Sequence, residues 1–187
     1  ARWALHDGDA EEMWATVDAA VEPGGAQGLP INVLTDTVAI LYRAEIAGMP
    51  VAPERWHRMS DYAAQFFPDT GQSFADIHAA LGHAMAGIGD RLAKIAEGAK
   101  GFAGDLARPV AAAFGHMADG QWTDAIADLV PALAHTERLG GSRAQRDLIE
   151  LAYVNALMKA GYSDEADRTL RARRPVLAKS PPIQGFH

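Results

Sequence analysis

The chain has no cysteine, which removes thiol nucleophiles, thiolate metal sites and a disulfide framework together and makes a reducing compartment, the cytoplasm, the expected location. Long apolar runs are missing too. No stretch approaches the roughly 20 residues of a membrane-spanning helix, and the first residues lack the basic and apolar regions of a secretory leader, so no membrane partner is expected. Positive charge is in deficit: 17 Lys and Arg stand against 24 Asp and Glu, a net charge of −7. A duplex binder needs a basic face to displace counterions from phosphate, so a nucleic-acid partner is not expected either. Common catalytic signatures are absent: there is no H-E-x-x-H, no G-x-S-x-G and no glycine-rich loop running into Lys and Ser or Thr. "GGAQG" at 24–28 follows no strand, which fails the structural condition for a dinucleotide loop. No catalytic residue, metal site or cofactor is expected.

What is present is helix. Alanine is the commonest residue, β-branched runs are lacking, and apolar residues recur at three- and four-residue spacing, as in Val38, Leu41, Tyr42 and Ile46. A repeat is carried by glycines. "ALHDGDAEEM", "EIAGMPVAPERW", "AMAGIGDRL", "HMADGQWTDAI" and "LMKAGYSDEA" share a form, and their glycines, Gly8, Gly48, Gly87, Gly120 and Gly161, lie 40, 39, 33 and 41 residues apart. Four of the five set an apolar or small residue five positions later (Met13, Leu92, Ala125 and Ala166), where a second helix would pack back on the first. The exception, after Gly48, carries Pro50 and Pro53. Such glycines supply the left-handed cap of a first helix. The pattern predicts an all-α, tetratricopeptide-like α-solenoid of about five antiparallel helix hairpins in a right-handed superhelix. The hairpins are expected at about 1–22, 31–66, 73–101, 109–138 and 142–174, making one helical-repeat domain over 1–175 with a tail at 176–187. Pro109 suits a first helical turn and Pro175 a helix end.

The first unit is short, because only "ARWALHD" precedes Gly8. Trp3 and Leu5 would then lie on an incomplete end, whereas solenoids normally close their ends with polar caps. This predicts either the C-terminal part of a longer solenoid or an end covered by another subunit, a homodimer through the incomplete hairpin. Charge is uneven as well: Gly161 to His187 carries +2 and the remainder −9, a bias that a helix C-terminus favours by itself.

"GGSRAQRD" at 140–147 stands apart from this helical background. It resembles the GGS-x-AQRD segment that opens a late helix in the tetratricopeptide repeat protein 38 family. "DTVAILYRAEIAGMPVAPERW" is similar to that family's segment ending in G-x-x-V-x-x-RW, "FADIHAALGHAMAG" to its D-x-H-A helix, and "LRARRP" to the close of its last hairpin. The resemblance covers roughly residues 31–175 and corresponds to the C-terminal part of longer members. It implies an interaction or scaffold role and transfers no reaction.

Within the octet, Ser142 and Gln145 have capping-box spacing, and Arg143 with Asp147 and Arg146 with Glu150 are i,i+4 pairs. An arginine fork at position 146 could also take a partner carboxylate. His78 lies at the edge of an apolar stripe of Phe74, Ile77 and Leu81, where a buried, hydrogen-bonded imidazole is expected; contact with Arg146 or Asp147 across the groove is the alternative. Asp76 and His83 are two turns apart, about 10.5 Å, and cannot touch. Asn155 interrupts the stripe of Leu148, Leu151 and Met158. The candidate groove residues are accordingly Tyr42, His78, Gln145, Arg146, Asp147 and Asn155. The first functional expectation is a scaffold binding a protein or peptide in its concave groove. The second is a small-molecule enzyme or ligand-binding protein with a polar cluster inside the superhelix. The incomplete N-terminal hairpin generates a test: light scattering should show a dimer for the wild type and a monomer for Trp3→Glu, and a monomer in both would remove the dimer reading.

Overall fold

A computed structural model describes residues 1–173 of the chain, without the side chains at 143–145. The tail at 176–187 and Pro175 lie outside the described residues. Among the described residues there is no strand, and ten α-helices follow one another: α1 (Arg2–Asp7), α2 (Ala10–Ala20), α3 (Pro30–Ile46), α4 (Pro53–Phe66), α5 (Ser73–Met85), α6 (Gly89–Gly98), α7 (Gly104–Ala118), α8 (Trp122–Leu133), α9 (Arg143–Lys159) and α10 (Ser163–Arg173). A short 3₁₀ turn, Thr136–Leu139, precedes α9. No helix of the described residues is long and apolar enough to cross a membrane.

The five repeat glycines end α1, α3, α5, α7 and α9, with φ between 70° and 86°. At each turn the glycine N–H donates to the carbonyl three residues back, and the next N–H donates to the carbonyl five back: Asp9 to Ala4, Met49 to Ala44, Ile88 to His83, Gln121 to His116 and Tyr162 to Leu157, all at 2.7–2.9 Å. This Schellman arrangement satisfies carbonyls that a helix end leaves unpaired, and its left-handed residue reverses the chain. The partners α1 and α2, α3 and α4, α5 and α6, α7 and α8, and α9 and α10 consequently pack on each other. Met13, Ala125 and Ala166, each five positions after a glycine, are fully buried there, and Leu92 is half-buried.

First and second helices differ in burial. Twelve of the seventeen residues of α3 and eleven of the thirteen of α5 are buried, against four of fourteen in α4 and one of ten in α6. α3, α5 and α7 are therefore interior, α1 is not, and the second helices face solvent on one side, as their near-continuous and striped apolar patterns require. α3 packs on α4 and α5, α5 on α4, α6 and α7, and α8 on α7 and α9; α3 also meets α9. One core runs through Leu41, Met59, Leu81, Phe114, Leu129 and Leu148.

The N-terminal hairpin has a smaller core of Leu5, Met13 and Val17 against Ile40 and Ala44 of α3. Its end is held by charge. Glu22, 2% exposed, accepts from Arg55 and from Arg58 (2.7 Å), while Arg55 also pairs with Asp18 (2.7 Å) and lies 4.4 Å above the Trp14 ring. Leu5 departs from the expectation of an uncovered end. Residues 3 and 5 diverge by about 200° around a helix, so Leu5 turns onto α2 and α3 and is 5% exposed, whereas Trp3 is 80% exposed. Pro109 departs too: α7 begins at Gly104, and the proline is its sixth residue. The Ala103 carbonyl accepts from Leu106 and Ala107 and starts the helix one turn earlier, so that Pro109 lies where its absent N–H forgoes an intrahelical bond.

The turn geometry predicts opposite outcomes for two classes of glycine. In urea unfolding, Gly48→Ala and Gly120→Ala should each lose about 1–2 kcal/mol, the cost of a Cβ in the left-handed region. Gly98→Ala, inside α6 with open space around a Cβ, should lose nothing.

Candidate functional site

The octet glycines have a steric role. Gly140 and Gly141 have φ of 85° and 77°, and a Cβ on Gly141 would stand 2.4 Å from Cε2 of Phe74. The backbone thus lies directly on the Phe74 ring, leaving no room for a side chain. That ring meets His78 edge-on, with centroids 4.7 Å apart. The octet is in this way seated on α5 through one aromatic residue. The Arg146 guanidinium turns back to donate to the Gly141 carbonyl, and its backbone N–H donates to Ser142 O at 3.0 Å. The Gln145 side chain, and with it the capping box, lies outside the described residues. Asp147 is buried, at 6% exposure.

His78 is fully buried. Its Nδ1 donates to the Phe74 carbonyl at 2.7 Å, an assignment that follows because a carbonyl only accepts. Nε2 is then a bare acceptor, and it is buried without a hydrogen-bond partner. Burial lowers its pKa from 6.5 to about 4, opposed by the Phe74 bond and reinforced by the Arg43 charge, so the ring is neutral near pH 7. The charge beside His78 thus comes from α3.

Tyr42 and Asn155 meet. Asn155 Nδ2 donates to the Tyr42 hydroxyl at 3.2 Å across 113 residues of sequence, joining α3 to α9. Both are buried, at 3% and 9% exposure. Burial, with the Glu45 charge behind it, pushes the phenol pKa well up despite the Asn155 bond, so the hydroxyl stays protonated. Of the sequence candidates, then, Tyr42 and Asn155 touch each other, His78 sits against Phe74, and Arg146 closes on its own turn.

A cavity of about 420 Å³ is lined by Ala1, Arg2, Val21, Asp36, Ala39, Ile40, Arg43 and Ser142. Arg43, 8% exposed, donates to Ala39 O at 2.8 Å. Asp36 and Ser142 are exposed. Arg43 was legible as an anomaly, a lone cation in the apolar run VAILYRAEI. Asp36 gave no signal, since acidic residues early in a helix are ordinary.

A second polar set joins α4, α5 and α6. The Ser60 hydroxyl lies 2.7 Å from His83 Nδ1 and accepts from Arg91 at 3.0 Å, and Arg91 also reaches Asp61 at 2.7 Å. Ser60 and His83 have the spacing of a nucleophile and its base. Ser60 is fully buried, however, so no substrate carbonyl can reach its oxygen and the pair serves to join helices. Asp76 accepts from the Gly71 N–H at 3.0 Å instead of meeting His83. Among the described residues no group of three or more His, Cys, Asp or Glu could hold a metal ion. No family model matches this chain, and no solved structure matches it.

The two buried imidazoles predict a pH dependence. Burial, with Arg91 second, also lowers His83 from 6.5 to about 4 against the opposing charge of Asp61. The unfolded chain therefore binds protons that the folded chain refuses. Stability is fully present above about pH 6.5 and falls as pH drops toward 4, by at most about 1.4 kcal/mol per pH unit for each histidine. Asp76, raised by burial, acts in the opposite sense and reduces the slope. Urea unfolding between pH 5 and 7 should lose about one proton of this slope in His78→Gln or His83→Gln; an unchanged slope would show that neither ring is buried neutral.

Proposed function

We propose that this chain is a helical-repeat binding module of the tetratricopeptide repeat protein 38 type, its five hairpins stacked as a right-handed superhelix that takes a peptide or protein partner in a cysteine-free, cytoplasmic setting. The repetition of one Schellman turn at Gly8, Gly48, Gly87, Gly120 and Gly161, with α3, α5 and α7 interior, supports the stacking. The burial of Tyr42, His78, Asp147 and Asn155 takes these side chains out of direct contact with a partner and assigns them to shaping the inner wall. The contact surface is then the cavity where the exposed Asp36 and Ser142 and the mostly buried Arg43 stand together. That juxtaposition carries the reading. A small-molecule ligand is the second reading, favoured by a volume within the roughly 300–1,000 Å³ of ordinary ligand pockets.

Peptides selected by display on the purified protein test the first reading. Their affinity should fall at least tenfold in Ser142→Trp, which fills the cavity from an exposed position, with urea unfolding reporting what the substitution before α9 costs the fold. Peptides that bind Ser142→Trp equally would overturn it. Thermal stabilisation by a metabolite panel with no peptide selected would transfer support to the second reading.

A further inference from the structure

The hairpin of α1 and α2 is joined to the rest of the molecule differently from the other four. Each later hairpin shares extensive helix-on-helix packing with its neighbours, whereas α1 and α2 pack extensively only on each other. Two of the six residues of α1 and two of the eleven of α2 are buried, against twelve of seventeen in α3. Apolar contact with the next hairpin centres on a small patch, Leu5, Met13 and Val17 against Ile40, Ala44 and Ala47. The other ties are polar and converge on one face of α4, where Arg55 and Arg58 stand three residues apart. Glu22, almost fully buried, accepts from both, and Arg55 also holds Asp18 and covers the Trp14 ring. Neutralising a partner in such a set leaves a desolvated charge behind, so docking depends strongly on the pairing.

The connection to α3 can bend in one place. Residues 22–26 fold back on α2: the Gly25 and Ala26 N–H groups both donate to the Glu22 carbonyl, and a Cβ on Gly25 would lie 2.3 Å from the Asp18 carbonyl oxygen. That turn therefore moves with α2. α3 starts at Pro30, which leaves Gln27, Gly28 and Leu29 between the two bodies. Leu29 is 68% exposed, and a Cβ on Gly28 would meet nothing nearer than Asn32 Cβ at 3.6 Å. A few uncrowded residues at the end of an element suffice to absorb a hinge motion.

We propose that the α1–α2 hairpin is a latched unit that opens as a whole about residues 27–29 while α3 to α9 stay folded, with Glu22, Arg55 and Arg58 as the latch. Opening uncovers the apolar face of α3 around Ile40 and Ala44. Helices of six and eleven residues are too short to persist alone in water, so the hairpin loses its helices in the same step in which it undocks. Such a unit exchanges its amides through its own opening, not through unfolding of the whole chain.

Hydrogen exchange of the full chain, followed by mass spectrometry near neutral pH, tests this. After correction for intrinsic rates, the amides of α1 and α2 should be protected at least tenfold less than those of α5 and α7. Glu22→Gln should lower the protection of α1 and α2 by at least a further tenfold and leave α5 and α7 unchanged. In the Arg55→Gln/Arg58→Gln double variant the latch is already open, so adding Glu22→Gln should change protection less than threefold. Equal protection of α2 and α5 in the wild type would overturn the proposal. So would a Glu22→Gln variant that loosens every helix alike, or one whose effect is undiminished in the double-arginine background. No ligand enters this measurement, so its outcome is independent of the peptide-binding test.

Discussion

The hydrogen bond between Tyr42 and Asn155 fastens α3 to α9 across 113 residues of chain. A neutral bond of this kind contributes only about 1 kcal/mol net, but either partner left alone in the interior would cost about 1–3 kcal/mol. The pair therefore acts as a constraint on register more than as a source of stability: α9 can approach α3 only where the amide and the phenol coincide. α3 is then enclosed by α4, α5 and α9, and on its remaining side the α2 end is tied to it by Thr37 Oγ1, which donates to Val21 O at 2.9 Å. This enclosure explains why twelve of its seventeen residues are buried.

What could be read from the sequence is what the backbone decides locally. The Gly48 turn needs only a residue that tolerates positive φ and carbonyls within five residues of it, so its signature is a glycine after a helical pattern. The same signature recurs four more times. Long-range pairings left no comparable mark. Glu22 meets Arg55 and Arg58 at separations of 33 and 36, and Ser60 meets His83 at 23; each residue alone looks like an ordinary solvated or cap side chain. Arg146 shows the converse. Its i,i+4 relation to Glu150 is visible in sequence, yet the side chain closes on Gly141, while Arg173 of α10 reaches Glu150 at 3.4 Å. Spacing lists the partners within reach, and tertiary packing chooses among them.

The glycine pair of the octet illustrates how a local signal can have a distant cause. Two glycines before a helix read as a turn, and Gly140 and Gly141 do have positive φ. The stricter requirement comes from α5, because the Phe74 ring occupies the space that a Cβ at 141 would need. Phe74 in turn presents its carbonyl to His78 and its ring to the imidazole edge. One aromatic side chain thereby couples the entry to α9 with the tautomer of a histidine inside α5. The buried Nε2 that results is an acceptor kept in place by packing, not by a partner of its own.

The same packing fixes the charges of the cavity. Arg43 is set on a helix held by its neighbours on most of its circumference, and its guanidinium donates to the Ala39 carbonyl of the same helix. The conformational cost of immobilising a long side chain, about 0.5–1.5 kcal/mol at an interface, is met on folding. His78 next to it remains neutral because burial and Arg43 both disfavour the imidazolium. Near neutral pH the imidazole therefore adds no second positive charge beside Arg43. Asp36, by contrast, is exposed and screened.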